Sequence, residues 1–140
     1  MAEKLEDGGM KVKFLRYWSI AVGAMDALTG LLLILAPGPV LRLLGIVPPP
    51  AEALVFLSWI GVFVMAVGLS YAMALGRRGR GEAVWGFTSM VRMMVAVFLT
   101  IQILAGTLVP AWALVGAADA FVAVVQIVIL RKGWWREVAK

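Results

Sequence analysis

Four long runs of predominantly apolar residues, each close to 20 residues, divide this chain, and no other feature restricts its fold as strongly. A bilayer core about 30 Å thick takes roughly 20 residues of helix to cross. Backbone polar groups in hydrocarbon have no water to bond, so they must satisfy one another within a helix or a closed barrel. The fold expected is all-α: a four-helix transmembrane bundle forming a single integral membrane domain over residues 1–140. Its spans run from about Leu15 to Ala36, Ala53 to Leu75, Ala83 to Ala105 and Ala111 to Leu130. Hydrophobic residues make up 63% of the chain, where a soluble domain has about half. Apolar side chains surround each run instead of forming one stripe, as expected of helices that face lipid. The N-terminus, Met1-Ala2-Glu3-Lys4-Leu5-Glu6-Asp7, is mixed in charge, and the first run is too long for a signal-peptide core. It reads as an uncleaved first span.

The net charge of +5 is distributed with a clear asymmetry. Lys4, Lys11, Lys13 and Arg16 precede the first span, Arg77, Arg78 and Arg80 separate the second from the third, and Arg131, Lys132, Arg136 and Lys140 follow the fourth. Arg42 is on the other side. The positive-inside rule then places both termini in the cytoplasm. Trp18, Trp85, Trp134 and Trp135 fall at the inner boundary and Trp112 at the outer one, the pattern of an aromatic belt. Topology thus accounts for the basic charge, and a nucleic-acid partner is not expected. The short Gly106–Pro110 connection makes spans three and four antiparallel neighbours. The longer Pro37–Pro50 connection has an apolar middle, which suits a short interfacial helix between spans one and two, with Arg42 snorkelling and Gly45 ending it. A lid over an internal cavity is the functional alternative for that segment.

Three ionisable residues interrupt the apolar runs: Asp26, Arg92 and Asp119. Each costs about 2.5–3.5 kcal/mol at a bilayer centre on insertion scales, so each marks a candidate site. Positions three and four apart share a helix face. Span one aligns Ser19, Gly23, Asp26 and Gly30, span three aligns Thr88, Arg92, Ala96 and Leu99, and span four aligns Trp112, Gly116, Asp119, Ala123 and Gln126. Ser58, Gly61, Met65, Gly68 and Ala72 form an uncharged packing face on span two. These faces place Arg92 between Asp26 and Asp119, with Ser19, Gly23, Gly116 and Gln126 in support. Two carboxylates against one guanidinium leave a negative charge over. Either one Asp is neutral, or a cation, a water chain or a partner compensates it. The two aspartates sit in similar hexapeptides, Val22–Ala27 and Val115–Ala120, which would be inverted in the membrane; similar packing demands suffice to explain the likeness.

Cys and His are both absent, which removes thiolate chemistry and the commonest metal ligand and general base. The chain has no Gly-rich phosphate loop, zinc-protease motif or nucleophile elbow. No catalytic residue, metal site or cofactor is expected. Met25, Met65, Met90, Met93 and Met94 could suit copper(I), but core filling is the better account of them. Glu52 starts span two near its positive dipole end, and Gln102 and Gln126 are candidates for bonds between helices.

Several features together resemble the small four-span bacterial membrane proteins called DoxX-like. They are Ala36-Pro37 ending the first span, Val40-Leu41-Arg42-Leu43-Leu44-Gly45-Ile46 after it, Gly61 through Gly68-Leu69-Ser70-Tyr71, and then Arg92 and Asp119. The resemblance covers about Tyr17 to Trp135. It implies a bacterial inner membrane location and, since some relatives accompany quinone-linked oxidoreductases, a membrane-subunit role; it carries over no catalytic residue. The expected function is a non-catalytic accessory or assembly subunit of a larger membrane complex. The alternative is a proton- or cation-coupled small carrier, as a homo-oligomer, using the Asp-Arg-Asp cluster. A membrane enzyme that uses Asp26 or Asp119 as an acid has no nucleophile or metal site to support it.

Overall fold

The computed structural model describes the backbone of residues 2–76 and 80–138, and side chains from 8 to 76 and from 80 to 137. Lys4, Arg77, Arg78 and Lys140, counted above for orientation, have side chains outside the described residues. The helices are α1 (Ala2–Leu35), α2 (Pro37–Leu43), α3 (Ala51–Gly76), α4 (Arg80–Leu104), α5 (Ala113–Arg131) and α6 (Trp134–Val138), with a 3-10 turn, Pro110–Trp112, before α5. Four of these segments are long and apolar enough to cross a membrane: Gly8–Leu35, Ala51–Gly76, Arg80–Leu104 and Pro110–Arg131. This is the all-α bundle expected, with the short helix α2 between the first and second spans. Two features lie beyond the expectation. The first helix runs back to Ala2, well before Leu15, and α6 follows the last span.

The four long helices run up and down as two close pairs. α1 meets α3 backbone to backbone, through glycines seven residues apart on each helix. A Cβ placed on Gly61 would lie 2.8 Å from the Gly30 carbonyl oxygen and 2.9 Å from Leu33 Cβ. One placed on Gly23 would lie 2.8 Å from Tyr71 Cβ and 2.9 Å from the Gly68 carbonyl oxygen. Small residues at a crossing let helices approach until packing and weak backbone contacts hold them, which matters where lipid removes most of the hydrophobic drive. α4 pairs with α5 at ordinary spacing: the nearest atom to a Cβ on Gly116 would be Leu99 Cβ, at 3.6 Å. Between the pairs the space is filled by long side chains, among them Trp85, Tyr71, Arg92 and Gln126, all buried.

The ends of the bundle follow from local chemistry. Pro37 opens α2, where its missing N–H costs nothing, and Gly45 closes it with φ +73°. There Ile46 N–H donates to the Leu41 carbonyl and Gly45 N–H to that of Arg42, at 2.9 and 3.0 Å. Leu41 and Ile46 are both buried, the apolar contact that accompanies such a cap. Arg42 is exposed in the last turn of α2, and Glu52 lies in the first turn of α3. At the opposite, basic end, Gly133 turns the chain so that α6 folds back across the bundle. The Trp135 ring covers Gly81 and meets Trp85 edge to face, with centroids 5.5 Å apart. Arg136 donates to Glu82 from Nε and Nη2, at 2.9 and 2.6 Å, which holds its guanidinium above its usual pKa. Lys11 pairs with Glu137 at 2.8 Å.

Several side chains are placed differently from their sequence reading. Trp85, read as part of an aromatic belt, is fully buried within the bundle near the basic end of α4. Met25, Met90 and Met94 point outward instead of filling the core. Ala72 is exposed, and the buried face of α3 continues through Tyr71 and Ala74. Gln102 makes a local cap, not a bond between helices: its side chain and its carbonyl both accept from the Thr107 hydroxyl.

Candidate functional site

The charged cluster forms because three different helices present its members to one interior region. Arg92 of α4 donates through Nη2 to Asp26 Oδ2 on α1, and through Nη1 to Asp119 Oδ1 on α5. Each aspartate accepts from a separate terminal nitrogen, so one guanidinium ties the α1–α3 pair to the α4–α5 pair. The Arg92 side chain is 5% exposed and that of Asp26 9%, whereas Asp119 is 18% exposed and so the most accessible of the three. Arg92 Nε is buried and has no acceptor among the described residues.

One to two helical turns toward the basic end lies a second polar layer, and it reaches all four long helices. Gln126 Nε2 of α5 donates to the Tyr71 hydroxyl of α3 at 2.7 Å, and that hydroxyl donates to Thr88 Oγ1 of α4 at 3.0 Å. The Ser89 hydroxyl lies 2.9 Å from Gln126 Oε1 and 2.6 Å from the Trp85 carbonyl oxygen, so its proton can serve either. Trp85 Nε1 donates to Ser19 Oγ of α1 at 2.9 Å. Ser19, Thr88 and Gln126 are completely buried. Polar groups away from water are tolerated when their partners are in place, and here each partner comes from the protein itself.

The structure brings Asp26, Arg92 and Asp119 together, whereas Ser19 and Gln126, expected in support of them, belong to the second layer and do not touch the charges. Gly23 and Gly116 serve packing: Gly23 sits against α3 and Gly116 against α4. In both Asp-containing hexapeptides, then, the glycine three residues before the aspartate faces the adjacent helix of its own pair. Tyr71, Trp85 and Ser89 were not singled out as site residues. Of these, Ser89 carried a signal, because it neighbours Thr88 and lies three residues before Arg92.

Chemically, the cluster can hold charge and exchange a proton. Among the described residues no group of three or more His, Cys, Asp or Glu side chains could hold a metal ion. An apolar groove of about 480 Å³ lies between α4 and α5 toward the proline-rich end, lined by Ala96, Leu99, Thr100, Ala113, Gly116 and Ala120 among others. None of the three charged residues lines it. Comparison with protein families, curated proteins and solved structures finds no match for this chain.

Proposed function

We propose that this multi-pass membrane protein is a non-catalytic accessory or assembly subunit of a larger membrane complex. The observation that carries the reading is the set of side-chain bonds that tie the helices together inside the bundle. Charged and polar side chains from all four long helices bond chiefly to one another, which suits a core that fixes one helix arrangement. α3 buries the smallest share of itself, leaving most of its surface for lipid or for other helices. The DoxX-like resemblance agrees with a subunit role in a bacterial inner membrane, and the basic end, by the positive-inside rule, faces the cytoplasm with both termini. Native mass spectrometry of the protein gently extracted from its own membrane tests this. Stoichiometric foreign subunits are the expected result, and a lone chain or a homo-oligomer overturns it.

A second reading, a proton- or cation-coupled carrier, is favoured by the surplus carboxylate and the partial exposure of Asp119. Its test is pH-driven flux in proteoliposomes. Flux unchanged in both Asp26→Asn and Asp119→Asn rules it out.

A further inference from the structure

The charge count in the middle of the bundle is unbalanced, and the geometry restricts how it is settled. Arg92 stays protonated in proteins, so with both aspartates ionised the cluster would carry one net negative charge. An isolated charge in a medium of low dielectric is neutralised more readily than it is kept. A bare cation is a poor candidate, because hard cations such as calcium take about six to eight oxygen ligands. Among the described residues no cluster of acidic side chains could hold a metal, and the guanidinium already bridges the two carboxylates. Further help from Arg92 is not supplied either. Its Nε–H has no acceptor among the described residues, so neither carboxylate is gripped by the parallel two-bond fork that arginine can make. Each carboxylate therefore keeps one oxygen outside the guanidinium contacts. The titratable groups around the cluster are Asp26 from α1, Tyr71 from α3, Arg92 from α4 and Asp119 from α5. The Tyr71 hydroxyl is already committed to Thr88 and Gln126.

We propose that Asp26 and Asp119 together bind one proton at neutral pH, so that the cluster rests as one carboxylic acid, one carboxylate and one guanidinium. The proton belongs to the pair and not to a single residue, as with other closely coupled carboxyls. A proton needs no room of its own and no added ligands, and uptake at either free oxygen restores neutrality. A static core and a relay can both use such a proton, so the proposal stands apart from either functional reading.

Infrared spectroscopy of the protein in lipid nanodiscs at neutral pH tests it, through the carbonyl stretch of a protonated carboxylic acid and its shift in D2O. The expected result is a band worth about one carboxyl per chain in the wild type. That band disappears in Asp26→Asn and in Asp119→Asn alike, because each variant leaves a single carboxylate matched to Arg92. Absence of the band in the wild type overturns the proposal, and so does its survival in either variant. The wild-type spectrum decides the first point alone, so a variant that fails to accumulate does not shelter the proposal.

Discussion

Gly61→Ala isolates what the close approach of α1 and α3 is worth. The new methyl would meet the Gly30 carbonyl oxygen at 2.8 Å, while ordinary contact begins at 3.4 Å, so the helices must part by 3.4 − 2.8, or about 0.6 Å. The obstacle is backbone, not the end of a flexible side chain, so the strain cannot be relieved by a rotamer change. A radial gap of this size forfeits a quarter to a half of each contact; on the order of 30 atom pairs at about 0.15 kcal/mol, losing about a third, gives roughly 1.5 kcal/mol. That falls within the range of about 1–3 kcal/mol found for overpacking in general. Alanine's helix propensity, worth about 1 kcal/mol over glycine in water, offsets little here, because a membrane-embedded chain stays helical when its tertiary packing is lost. Gly86→Ala is the matched control, since nothing lies within 4 Å of a Cβ there. Titrating SDS into mixed micelles and following tryptophan emission gives both stabilities. If Gly61→Ala unfolds at the same SDS fraction as Gly86→Ala, the packing argument is wrong.

Removing Arg92 leaves two carboxylates without their cation, so Arg92→Ala should abolish accumulation of folded protein at a cost of about 3–5 kcal/mol. The triple variant Asp26→Leu, Arg92→Met and Asp119→Leu should restore a monodisperse peak in size exclusion; its failure alongside a well-behaved Arg92→Ala would contradict a structural role. Gln126→Leu strips partners from Tyr71 and Ser89 and should cost about 1–2 kcal/mol in the same SDS titration, with no shift counting against the second polar layer. At the basic end, Arg136 and Glu82 form an exposed pair that salt screens. High ionic strength and Arg136→Ala should therefore each speed proteolytic trimming of α6, and identical trimming rates would remove the pair from the account of how α6 is held.

The helix count and the polar faces were legible because three- and four-residue spacing keeps meaning even where apolar residues run all round. Ser19-Gly23-Asp26-Gly30 and Thr88-Arg92-Ala96-Leu99 are both buried stripes, as that spacing implies. Apolar residues gave no such guidance. Lipid accepts methionine as readily as a core does, so residue type alone gave Met90 and Met94 no direction, although each lies two positions from Arg92 and so opposite the buried stripe. Trp85 lies near a helix end, where tryptophan ordinarily marks the interface, but it turns into the bundle, where it bonds Ser19 of α1 and meets Trp135 of the folded-back α6. α6 itself was illegible for a related reason: a five-residue helix has too little local signal, and tertiary contacts from Trp135 and Arg136 hold it. On α3, Tyr71 is buried where its hydroxyl meets Thr88 and Gln126 of the other helix pair, and Ala72 is exposed.

The glycine crossing also bears on biosynthesis. Asp26 and Arg92 are 66 positions apart, so at about 5–20 residues per second the ribosome delivers the cation roughly 3–13 s after the anion. Through that interval a carboxyl-bearing helix must reside in lipid without its counter-ion. The α1–α3 crossing is made by glycines packed against backbone and the apolar side chains of Leu33 and Tyr71, and it asks nothing of Arg92, so the first hairpin can close as soon as α3 emerges. A nascent chain stalled before Arg92 would therefore hold a formed hairpin with Asp26 still awaiting its partner, and α4 would dock onto a surface already built.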